Sequence, residues 1–161
     1  LTIEQRDLFQ KILLEPSIDS STSLNGKVRF SKKDDHYKQS IHFDAGFDTK
    51  WSGVVYLSKD HPKIDGTVFW KHVRTGLEEI PKTEEALAEV GLGSGDQIVN
   101  LLHKEGLDES YWEKMLVIPY KYNRLVLFRP WLFHSPGEAW GDSLETSRKV
   151  QTIFLGNAPS T

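Results

Sequence analysis

Seven short runs rich in β-branched and aromatic residues constrain this chain more than any other feature. They are Lys27–Phe30, Lys38–Asp44, Trp51–Ser58, Gly66–Trp70, Asn123–Phe128, Trp131–His134 and Lys149–Leu155, separated mostly by turn-forming residues. A strand of this length cannot stand alone, so the runs must pair into sheets and bury their apolar faces against another layer.

Helical signals stand at the start and in the middle. Thr2 and Gln5 form a capping box ahead of an apolar stripe, Ile3, Leu8, Phe9, Ile12 and Leu13, and Pro16 ends it. Residues 17–26 are polar and turn-like. Thr83 opens a helix that closes near Gly91, Asp96 opens a second that ends at Gly106, and a third is expected over Glu109–Leu116. The pattern predicts a mainly β fold with flanking helices, a double-stranded β-helix (jelly roll, cupin-like) with a helical insertion at about residues 74–120, in a single domain over residues 1–161. A generic β-sandwich gives a similar pattern. The insertion is expected to form a flap over the substrate side.

Bulk properties narrow the chemistry. The formal net charge is −3 and no long basic stretch is present, so neither nucleic acid nor an anionic membrane is an expected partner. The chain has no cysteine, which excludes disulfides, thiolate catalysis and cysteine-ligated metals. No signal-peptide pattern or membrane-length apolar run is present, and a cytoplasmic location is expected. The chain starts at Leu1 rather than Met, so its natural N-terminus is expected to lie upstream.

Within that frame, His42-Phe43-Asp44 carries the most chemistry. On a strand, positions i and i+2 project to one face, so one imidazole and one carboxylate can bind one metal ion. His134, late in the chain after an apolar run, is the best third ligand; His72 is the nearest rival. Two histidines and one carboxylate leave open positions on the ion, the facial arrangement of non-haem Fe(II) oxygenases. The tripeptide alone also fits a strand with a surface histidine and a turn aspartate. Arg148, fourteen residues past His134, can grip a carboxylate through two parallel hydrogen bonds. It shares strand parity with Thr152, whereas Lys149 points to the opposite face.

The order His42–Asp44, Val54–Leu57 (VVYL), Gly66–Phe69 (GTVF), Asn123–Phe128 through His134, then Arg148–Phe154, resembles the 2-oxoglutarate/Fe(II)-dependent dioxygenase superfamily, and within it the prolyl-hydroxylase-like enzymes. The resemblance spans about residues 37–155. It implies Fe(II) held by His42, Asp44 and His134, and 2-oxoglutarate as co-substrate, its distal carboxylate met by Arg148, Tyr56 and Thr152. It implies use of O₂ to hydroxylate an amino acid, peptide or small metabolite, with release of succinate and CO₂. Halogenating members lack the carboxylate, so Asp44 favours hydroxylation. Two other readings keep the jelly roll: a non-catalytic binding protein, and a cupin-type metal enzyme that does not use 2-oxoglutarate. Of the five tryptophans, Trp51 and Trp140 are expected to border the pocket mouth.

Overall fold

β8 (Arg148–Gly156) is the strand to which most of the first sheet attaches. The computed structural model describes residues 2–15, 18–20, 23–35, 40–44 and 48–157. Along one edge of β8 run β1 (Asp19–Ser20) and β2 (Val28–Ser31); along the other lies β3 (Thr49–Tyr56), followed by β6 (Leu125–Phe128), all antiparallel. A second antiparallel sheet has the order β5 (Trp112–Pro119), β4 (Asp65–His72), β7 (His134–Ser135). The protein is thus mainly β, built on two antiparallel sheets.

Strand parity decides which face of each sheet meets which layer. In β8, Ile153 and Leu155 pack with Trp51 and Val55 of β3 against Phe9 and Leu13 of α1 (Ile3–Leu13). The alternate residues Arg148, Val150, Thr152 and Phe154 face the other way, into a cleft. In β4, Val68 and Trp70 pack against α2 (Glu84–Glu89) and α3 (Gly95–Glu105) through Leu87, Ile98 and Leu101. The intervening Thr67 lines the cleft, and the Phe69 ring meets Phe128 of the first sheet at 5.3 Å. Each sheet therefore turns one face to helices and the other to the opposite sheet. Tyr56, Tyr120 and Val150 fill the space beside the cleft.

The capping box at Thr2 and Gln5 forms as expected, and Thr83 caps α2. In α1, however, Phe9 is buried while Ile3, Leu8 and Ile12 remain exposed. The helix closes at Leu14 in the left-handed region, one turn-residue before Pro16, which lies outside the described residues with Ser17. The third expected helix is a single 3₁₀ turn, Glu109–Tyr111, and the rest of that stretch is β5. Leu116–Ile118 carries no strand alternation, so its pairing is invisible in sequence; β4 supplies the partner, from Asp65↔Pro119 to His72↔Trp112. The Trp131–His134 run contributes only His134 to a strand. The Lys38–Asp44 run is described from Ser40 onward and makes one bridge, His42↔His134.

The helices of the insertion are not a flap. Their buried side chains pack against Ile41, Val68, Trp70 and Phe133, on the far side of the second sheet from the cleft. Among the described residues none from 74–120 lines the cleft. Val99, Leu102 and His103 of α3 share a groove with Ser40–Phe43, and Tyr120 packs beside the cleft. No helix of the described residues is long and apolar enough to cross a membrane.

Ile98 joins α3 to Ile41 and Phe133, and only 1% of it is exposed. Ile98→Ala should lower the unfolding free energy by roughly 2–5 kcal/mol. Urea unfolding followed by tryptophan fluorescence measures this; an unchanged midpoint would show that α3 does not support the second sheet.

Candidate metal centre

His42 and His134 sit directly opposite each other and exchange both backbone hydrogen bonds, His42 N–H to His134 O and the reverse, each 2.9 Å. Residues paired in this way carry their side chains to the same face. The preceding residues, Ile41 and Phe133, project the other way into the helix-covered core. Burial of these two apolar side chains therefore turns both imidazoles into the cleft. Asp44, two residues past His42, follows its parity, and its N–H is fixed by the carbonyl of Pro130 at 2.7 Å.

The three side chains converge. Asp44 Oδ2 lies 3.3 Å from His134 Nε2, and Asp44 Oδ1 lies 3.7 Å from His42 Nε2. One ligand atom from each lies within 4.8 Å of the others, close enough for a single ion. Each imidazole is oriented from behind: His42 Nδ1 meets Ser40 O at 2.8 Å and His134 Nδ1 meets Leu132 O at 2.9 Å. A carbonyl accepts only, so Nδ1 carries a proton in each ring and Nε2 is the atom turned to the centre. Burial, reinforced by the His134 ring, lowers the His42 pKa to about 4, so His42 is a neutral donor at neutral pH. For Asp44, burial works upward, but the hydrogen bond and charge of His134 prevail and keep it below the ordinary carboxylate value. Two imidazole nitrogens and one carboxylate, all from one side, suit a divalent first-row metal with open positions. His72, the rival ligand, is absent from this group. It is buried at the far end of β4, with Nε2 2.7 Å from Glu105 and Nδ1 2.9 Å from Thr75.

Arg148 enters the same cleft from the start of β8 and is 3% exposed. One nitrogen, Nη2, donates to Gly66 O at 2.9 Å, while Nε is buried without a partner. The guanidinium lies beside the stacked pair of Tyr56 and Tyr120, 5.9 and 5.6 Å from their ring centroids. Burial depresses its pKa to about 10, leaving it charged at neutral pH. No carboxylate of the described residues pairs with it. A buried cation with unused donor capacity facing a cleft is a site for an anion.

The two residues assigned beside Arg148 by resemblance are placed differently from each other. Thr152 lines the cleft, with its hydroxyl donated to Leu24 O at 2.7 Å. Tyr56 is fully buried behind the cleft wall, its hydroxyl 2.7 Å from Thr67 Oγ1, and burial raises its pKa. Thr67 rather than Tyr56 reaches the cleft surface. Gly66 permits this packing, because a Cβ there would meet the Tyr56 hydroxyl oxygen at 2.6 Å.

Several lining residues escaped the sequence reading: Arg29 and Ser31 of β2, Phe128 of β6, and Ser135, whose Oγ accepts from the Trp70 indole at 3.0 Å. The alternation in Val28–Ser31, with polar residues at 29 and 31, was the available signal for the first two. Neither expected tryptophan borders the cleft. Trp51 stacks on Arg129 at 3.8 Å, and Trp140 packs against Tyr120 over a separate groove at Leu57–Pro62.

No curated protein matches this chain. A family model described as "Family of unknown function (DUF6445)" matches residues 28–149, a span that takes in β2 to β7, all three converging side chains and Arg148, and the chain belongs to that family.

Proposed function

We propose that this protein is an Fe(II)- and 2-oxoglutarate-dependent oxygenase with a double-stranded β-helix fold, hydroxylating an amino acid, peptide or small metabolite. The observation that carries the reading is the pairing, in one cleft, of an open His42–Asp44–His134 donor set with a buried Arg148 that has no counter-ion among the described residues. Either feature alone fits other chemistry. A metal-only enzyme has no use for a buried, unpaired guanidinium, and a binding module has no use for three oriented donors.

Each residue then has a defined task. Asp44 and the Nε2 atoms of His42 and His134 hold the ion from one side, with Ser40 and Leu132 carbonyls fixing the ring orientations. Bound Fe(II) would supply the O₂ chemistry in which 2-oxoglutarate goes to succinate and CO₂ while one oxygen atom is inserted into a substrate C–H bond. Arg148 orients the co-substrate by gripping its distal carboxylate. Tyr56 acts through Thr67, holding that hydroxyl against the cleft wall. Phe128 and Val150 keep the intervening wall apolar and limit water.

Succinate release from 2-oxoglutarate should require Fe(II) and should disappear in His42→Ala and Asp44→Ala. Turnover without metal, or undiminished turnover in either variant, would sink the reading. Arg148 gives a second, opposite-signed test. An unpaired buried cation is unfavourable, so Arg148→Met should leave the melting temperature of the co-substrate-free protein unchanged or raised. The same variant should lose the stabilisation that 2-oxoglutarate gives the native metal-loaded protein. A thermal shift that survives in Arg148→Met would remove Arg148 from the site.

A further inference from the structure

Arg29 is the one cleft cation that the chemistry above leaves unused. On β2 it stands opposite Val150, beside Ser31, which stands opposite Arg148. Both Arg29 and Ser31 line the cleft with the metal donors. Arg29 makes no salt bridge or side-chain hydrogen bond with any described residue. It is exposed, unlike Arg148, so it belongs to the outer part of the cleft. Its charge is felt inside: it acts on both His42 and Arg148.

Charge balance points to what Arg29 meets. Among the described residues, Asp44 is the sole acidic side chain lining the cleft, against two arginines. A divalent ion brings two further positive charges, and the 2-oxoglutarate dianion removes two. A single positive charge is left over, on the outer residue, where the substrate must enter. Such a cleft favours an anion and repels a cation.

We infer that the prime substrate is a small molecule carrying an oxyanion group, which Arg29 binds at the outer part of the cleft. The inference rests on the function proposed above. Of the substrate classes left open there, it selects acids, such as a free amino acid or an organic acid, over neutral or basic compounds. Ser31, on the same face of β2, is placed to donate a second hydrogen bond to that group.

The test uses protein loaded with Mn(II) and 2-oxoglutarate, in which the ion broadens the proton resonances of any small molecule bound nearby. The probes are N-acetylglycine, its neutral amide N-acetylglycinamide, and ethyl phosphate. The acid should bind about tenfold more tightly than the amide, the worth of one charge-assisted hydrogen bond. Arg29→Gln should abolish the preference and Arg29→Glu should reverse it, while 2-oxoglutarate affinity changes less than twofold. A preference for ethyl phosphate over N-acetylglycine would identify the oxyanion as a phosphate; the reverse would identify a carboxylate. Equal broadening of both anions and the amide, or none of any of the three, would overturn the inference, as would a loss of 2-oxoglutarate binding in Arg29→Gln, which would assign Arg29 to the co-substrate. If Mn(II) or 2-oxoglutarate fails to bind the native protein, the proposed function falls instead, so the two failures are distinguishable.

Discussion

The reciprocal hydrogen bonds between His42 and His134 hold the candidate site together. They join two segments far apart in the chain, one of which is barely a strand, and they do so at the two residues whose side chains matter most. A bridge of this kind leaves no freedom of register. A slip by one residue would point Ile41 and Phe133 into the cleft and both imidazoles into the apolar core, where neutral rings without partners are costly. Burial of Ile41 and Phe133 under α2 and α3 therefore enforces the geometry of the donors. The helical insertion is a buttress: it fixes the site from behind.

Stability and function pull in opposite directions at the other end of the cleft. The three donors are nearly self-sufficient, since Asp44 sits between two imidazoles that are themselves tethered to carbonyls. Arg148 is not. It keeps a charge inside the protein with one carbonyl, the stacked tyrosine rings and an unpaired Nε around it. Natural chains retain such groups where a ligand completes them. The two tyrosines, stacked on each other at 4.4 Å, form a rigid floor that keeps the guanidinium from collapsing into the wall.

Sequence reading reached the donors because the information was local. His42 and Asp44 share a face through simple alternation, and the capping box at Thr2 and the strand-rich runs are equally local signals. It failed where partners decide. Nothing in Trp112–Pro119 announces that β4 needs a neighbour, so a strand read as a helix. Tyr56 has the right parity to face the cleft, yet the absence of a side chain at Gly66 lets its hydroxyl reach Thr67 instead. Arg29 carried only the weak alternation of a short, exposed strand; its place in the cleft follows from pairing with Val150 of β8. Trp51 and Trp140 were placed by sequence proximity to the site, but cation–π stacking on Arg129 and packing on Tyr120 hold them elsewhere.

The central claim is that one cleft holds both a divalent iron and a 2-oxo acid. Anaerobic titration of the Fe(II)-loaded protein with 2-oxoglutarate, followed by visible absorption, addresses both halves at once. Chelation of the 2-oxo acid to the ion should produce a weak charge-transfer band that saturates at one equivalent per chain and is absent in Asp44→Ala. A titration that leaves the visible spectrum of the iron-loaded protein unchanged would contradict the account.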